Sequence, residues 1–166
     1  MSRKVSYPEN VLNKIKKTDR VIISPDKVLK FDESKIRHKQ EKSIKPWGLW
    51  YACGDEWIRW CRSEEPEWCH PHIFILHVSD KILKIKTREE LVNFDHKYGS
   101  KMVDTLYPSE CFNYIDWARV TKKYPGIEIC PYQGSLRRSM LWYSAWDVAS
   151  GCIWHSDGLI SAERIL

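Results

Sequence analysis

The chain has 166 residues, 43% of them hydrophobic and 30% charged, with 7 Gly and 8 Pro. This composition excludes collagen-like and low-complexity classes and argues for one folded domain that buries a core without disulfide or metal staples. No apolar run approaches the roughly 18–20 residues of a membrane span, and no apolar segment follows Met1-Ser2-Arg3-Lys4. A secretory leader is therefore not expected, and a cytoplasmic, reducing compartment is. The net charge of +5 is unevenly placed: residues 1–46 carry 13 Lys/Arg against 6 Asp/Glu, and residues 47–166 carry 14 against 16. A basic amino-terminal third attracts nucleic acid, nucleotide phosphate or an acidic partner, or forms a solvated lysine-rich surface.

In chain order, Val11, Leu12 and Ile15 stand at helical spacing and predict a short peripheral helix within residues 1–20. Val21-Ile22-Ile23 reads as a strand stopped by Ser24-Pro25-Asp26, and Val28–Phe31 as a second. The polar stretch 32–45 reads as a loop, and long loops in compact domains are often functional. Pro46–Ala52 reads as a buried strand in which Gly48 permits close backbone approach. Gly54-Asp55 opens a helix with Asp55 as N-cap and Trp57, Ile58, Trp60 and Cys61 on its apolar side, ended before Pro66. His72–Val78 is nearly all apolar and predicts a central strand buried on both faces. Ile82–Ile85 follows as a strand. Thr87-Arg88-Glu89-Glu90 matches a capping box for a helix ending near Tyr98-Gly99. Asp116 caps a further short helix. Ile127–Cys130 is a strand, Trp142–Asp147 an aromatic segment that lines something, and 151–154 a late strand. Helices and strands without a regular βαβ rhythm predict an α+β single domain with a mixed or antiparallel sheet.

The chain lacks P-loop, dinucleotide-fingerprint, nucleophile-elbow and zinc-protease motifs. Cys53, Cys61, Cys69, His70 and His72 form the one metal candidate. Eight residues on a helix separate Cys53 and Cys61 by about 80° in azimuth, so buried free thiols with surface histidines are the expectation, and no metal. Nine Trp and eight Tyr exceed what a core of this size requires, which points to a pocket with at least two exposed indoles. The stretch Arg37-His38-Lys39 through Lys45 runs into Trp47 and Trp50, joining charge for phosphate to indole for base stacking. Asp147 among aromatics is a costly place for a charge unless it is paired, working, or bracing a turn. Glu128, between two isoleucines, faces solvent by alternation or serves as a second working carboxylate.

The order Gly48-Leu49-Trp50-Tyr51-Ala52, the strand His72–Val78, Lys81–Ile85, the capped helix from Thr87, Tyr124–Glu128 and Trp146–Trp154 resembles the ADP-ribosyltransferase fold family, including its small phage, viral and toxin-type members. The similarity covers about residues 45–160. It implies split antiparallel β-sheets with short helices clasping NAD. It also implies glycosyltransferase-class chemistry: cleavage of the nicotinamide–ribose bond and transfer of ADP-ribose to a protein or nucleic-acid acceptor. On this resemblance Asp147 or Glu128 supplies the carboxylate that offsets positive charge at the anomeric carbon. Lys45 meets the diphosphate, and Gly48, Leu49, Trp50, Tyr51, Trp146 and Ser150 form the pocket. Lys30, Arg37 or His38 takes the place of the family's first-strand cation. Ala52 stands where the family has Ser or Thr, and Ser150-Gly151 where it has Glu. Two readings from other classes remain open: a non-catalytic nucleic-acid or nucleotide-binding module using the basic amino-terminal third and exposed Trp residues, and an interaction protein with a tryptophan surface. In neither is a membrane involved.

Overall fold

A computed structural model describes residues 5–36, 39–103 and 111–166. Along the chain the elements are α1 (Glu9–Leu12), β1 (Arg20–Ser24), β2 (Lys42–Ser43), β3 (Leu49–Cys53), α2 (Glu56–Glu64), β4 (His72–Val78), β5 (Leu83–Ile85) and α3 (Arg88–Tyr98). They continue with β6 (Gly99–Val103), β7 (Cys111–Asp116), α4 (Trp117–Thr121), β8 (Gly126–Ile129), α5 (Leu141–Ser144), β9 (Ser150–Ile153) and β10 (Leu159–Arg164). The architecture is mixed α+β in one small domain: a seven-stranded sheet ordered β10-β4-β1-β3-β9-β8-β5 and a three-stranded sheet ordered β2-β7-β6. Neighbours in the large sheet run antiparallel except β5 and β8, which are parallel.

Register decides which side chains share a face, because residues paired across strands point the same way and alternate along each strand. Tyr51, Gly151 and Glu128 are cross-strand partners on β3, β9 and β8, while Trp50, Cys152 and Ile127 form the next row and point to the other face. That second face carries two buried clusters. In one, Leu91 and Phe94 of α3, Trp117 and Val120 of α4, and Trp142 and Tyr143 of α5 cover Ile127, Ile129 and Cys152. In the other, Tyr7 and Val11 near the amino terminus, with Ile58 and Cys61 of α2, cover Val21, Ile23 and Ile73. The first face holds Tyr51, Phe74, Leu76 and Ile153 under Leu29, Phe31 and Leu159. Fully burying one such aliphatic side chain contributes about 1.5–3 kcal/mol.

The expected capping box is present. Thr87 Oγ1 accepts from the Glu90 amide at 3.1 Å and the Glu90 carboxylate accepts from the Thr87 amide at 3.0 Å. Asp116 likewise caps α4 through the Arg119 amide at 3.2 Å. Three local expectations are corrected. Asp55 makes no capping bond and instead pairs with Arg59 at 3.2 Å. Residues 28–31 are not a strand; Leu29 and Phe31 pack as loop side chains while Val28 is exposed. The stretch 32–45 is not wholly loop, since it contains a short 3-10 turn, Glu33–Lys35, and β2. A fourth correction concerns β4, which is second from the edge rather than central, because the polar β10 continues the sheet beyond it.

Five indole N–H groups illustrate how this core absorbs tryptophan. Trp117 donates to Ser43 O at 3.1 Å, Trp142 to Asp95 Oδ1 at 2.8 Å, Trp154 to Tyr124 O at 2.6 Å and Trp50 to Pro46 O at 3.3 Å. The Trp146 N–H alone is buried with no partner among the described residues. Among those residues no helix is long and apolar enough to cross a membrane.

Candidate functional site

Between the two clusters on the second face lies a cleft of about 470 Å³, within the range of small-molecule sites. Its floor is Val21 and Ile23 of β1, Ala52 of β3 and Ser150 of β9. These strands adjoin because β1 pairs with β3 and β3 with β9, Trp50 lying opposite Cys152 and Ala52 opposite Ser150. One wall is aromatic from α2 and the turn after it. Trp57 stacks on Trp60 with centroids 4.8 Å apart and planes 6° apart, and Trp68 leans on Trp57 at 6.1 Å. The other wall is Trp50 edge-on to Trp146 at 4.8 Å and 73°. Lys45, Asp147 and His70 complete the rim.

The cleft therefore gathers Lys45, Gly48, Leu49, Trp50, Tyr51, Trp146, Asp147 and Ser150. Gly48 is required by proximity: a Cβ there would lie 2.6 Å from Cys152 Sγ and against the Ile153 carbonyl. Tyr51 borders the cleft through β3, but its ring belongs to the opposite face. Lys45 Nζ sits 5.2 Å from the Trp50 ring centroid. Partial burial lowers the pKa of this ammonium, and Asp147 pulls the other way. Asp147 accepts from Arg137 Nη2 at 3.1 Å in an ion pair that is partly exposed on both sides. Arg137 is in turn fixed by donating from Nε to Ser144 O at 3.1 Å.

Glu128 occupies a different environment. It is 4% exposed and does not point to solvent. Alternation along β8 gives no solvent side, because all four residues of that strand are buried. Arg20 grips its carboxylate through Nε at 3.0 Å and Nη2 at 2.9 Å, and the Tyr51 hydroxyl donates to it at 2.8 Å. Burial pushes the carboxyl pKa up, but the guanidinium fork and the phenol together bring it below the ordinary value. Gly151 makes this possible: with no side chain on β9, the Tyr51 ring crosses the strand to reach β8, and a Cβ would run into that ring. The two carboxylates singled out from the sequence thus lie on opposite faces of the sheet, only Asp147 at the cleft.

Arg37 and His38 lie outside the described residues. Lys30 pairs with Asp26 at 3.5 Å on the surface and does not line the cleft. Among the described residues no group of three or more His, Cys, Asp and Glu is placed to hold a metal ion. Cys53 closes β3, Cys61 lies in α2, and both thiols are free and buried. The sequence did not reveal Trp57, Trp68 and His70 as cleft residues, nor Arg20 and Arg137 as the partners of the two carboxylates. Trp57 carried a usable signal, being one of two indoles on a nine-residue helix; the arginines carried none, since their partners are 108 and 10 residues away. Compared with known proteins, the chain matches no family model, no curated protein and no solved structure.

Proposed function

We propose that the cleft binds NAD and that the protein is an ADP-ribosyltransferase-like enzyme in which Asp147 is the working carboxylate. One observation carries this reading: chain segments 45–52 and 146–150 converge on a single cleft, with Asp147 the one carboxylate lining it among the described residues. The indoles on both walls suit the planar nicotinamide and adenine rings, and Lys45 at the rim suits a diphosphate. Departure of nicotinamide takes the bonding pair of the N-glycosidic bond and leaves positive charge on the ribose, which a nearby carboxylate stabilises until a nucleophile of the acceptor closes the new bond. The test is nicotinamide release. Wild-type protein releases nicotinamide from NAD, and Asp147→Asn lowers the rate by about 100-fold or more with unchanged melting temperature. Equal rates in the two proteins would overturn the assignment.

A second reading, nucleotide binding without chemistry, is favoured by the Arg137–Asp147 ion pair, which engages one Asp147 oxygen. Under it NAD and ADP-ribose raise the melting temperature equally, by mass action on the folded state, and no nicotinamide appears.

A further inference from the structure

Beside the cleft, beyond Trp50, lies a strip of which the NAD reading uses Lys45 alone. The Trp50 indole N–H is hydrogen-bonded to the Pro46 carbonyl, which places Trp47 directly beside the cleft wall. Trp47 is 51% exposed. Its backbone is clamped at both polar atoms by one side chain: Gln40 Nε2 donates to Trp47 O at 2.6 Å, and Trp47 N donates to Gln40 Oε1 at 3.2 Å. The backbone that carries this exposed indole is thus held in place. Lys39 Nζ stands 4.9 Å from its ring centroid.

The charge along this strip comes from three lysines, which like most lysines among the described residues stand outside ion pairs. Lys30, Lys35, Lys81 and Lys84 each pair with a carboxylate. Lys39, Lys42 and Lys45 make no ion pair among the described residues. Lys42 stands across from Asp116 in the small sheet, but that carboxylate is turned to the cap of α4. Glu41 is the one acid within the strip. Lysines at every third position, each without an ion-pair partner, run up to an exposed aromatic face. That is the chemistry of a backbone-tracking cation row with a stacking platform.

We infer that residues 39–47 bind single-stranded nucleic acid, with Trp47 stacking one base and Lys39, Lys42 and Lys45 on successive phosphates. The aromatic platform favours this ligand over an acidic peptide, which would use the lysines and leave the indole idle. A duplex is disfavoured because its bases are already stacked. The inference goes beyond NAD binding and shares only Lys45 with it, since Lys39, Lys42 and Trp47 lie outside the cleft.

The experiment is fluorescence anisotropy of a labelled 12-nucleotide oligo(dT) and oligo(rU) against the full chain, in a salt series. The expected result is binding whose log K falls with log salt at a slope of about −2, three phosphate contacts at roughly 0.7 each. Lys39→Gln with Lys42→Gln brings the slope to about −0.7. Trp47→Ala weakens binding about 10-fold or more, while Trp47→Phe, which keeps an aromatic face, retains most of it. The same sequence as duplex binds at least about 10-fold more weakly. Absence of binding at low salt, an unchanged Kd in Trp47→Ala, or equal competition by oligoglutamate would each overturn the inference. Nicotinamide release by the same preparation reports separately on the cleft.

Discussion

Glu128→Gln is expected to cost stability and spare the cleft. The wild-type carboxylate is almost wholly buried and is held by both arms of Arg20 and by Tyr51. Breaking a buried ion pair from one side typically costs about 3–5 kcal/mol. Two features reduce that here. The Arg20 side chain is 30% exposed and regains water, and a glutamine carbonyl still accepts from Tyr51. We therefore expect about 2–3 kcal/mol, which for 166 residues is a fall in Tm of about 4–12 °C. Differential scanning fluorimetry measures the shift, and repeating it with NAD tests whether the ligand-induced increment matches wild type. The double variant Arg20→Met/Glu128→Met should recover much of the loss, since an apolar pair needs no compensating charge. A Glu128→Gln protein with unchanged Tm and no response to NAD would refute the structural role and return Glu128 to the chemistry.

Three other outcomes follow from groups on and around the sheet. The Glu128 carboxyl is held below its ordinary value, so on acidification the unfolded chain takes up the proton first. This contribution to stability is complete above a pH of roughly 4.5 and is lost as pH falls through the lower folded-state value. Urea midpoints between pH 7 and 3 should show a decline that is smaller in Glu128→Gln. Gly151→Ala inserts a methyl into the Tyr51 ring and 2.7 Å from Ile127 O. Overpacking of about 1–3 kcal/mol, added to the displaced Tyr51–Glu128 bond, should lower the urea midpoint more than Glu128→Gln does, and a neutral result would show that Tyr51 does not cross β9. Among the thiols, Cys130 is partly exposed and its pKa is lowered by a hydrogen bond from Cys53, whereas burial pushes Cys61 up to about 12 and raises Cys152 well above the ordinary thiol value. Iodoacetamide near pH 8 followed by peptide mass analysis should therefore modify Cys130 well before Cys53, Cys61 or Cys152.

How much of this was legible in the chain depends on the range of the interaction. Local chemistry was readable: the Thr87 box, the Asp116 cap and the limits of His72–Val78 follow from residues within a few positions of one another. The place of β4 in the sheet was not readable, because β10 is mostly exposed and carries no apolar signature. The two-residue β2 is too short to leave a pattern. The convergence of Lys45–Ala52 with Trp146–Ser150 depends on β3 pairing with β9, a register set a hundred residues apart that no spacing reveals. Glu128 shows the limit of alternation most plainly: the Ile-Glu-Ile pattern was compatible with a solvent face only as long as the opposite side of β8 was assumed to be open.

The bareness of β9 at Gly151 has a wider consequence. Gly151 offers no bulk there, and over it runs the Tyr51–Glu128 contact joining β3 to β8, with the Cys53–Cys130 contact linking the ends of the same two strands. β9 is held like a thread under two stitches. Its other face presents Ser150 to the cleft, and its leading end delivers Asp147. The element that leads on from Asp147 is thus clamped by side chains on the face away from the cleft, and any change in β9 must be matched on both neighbouring strands at once.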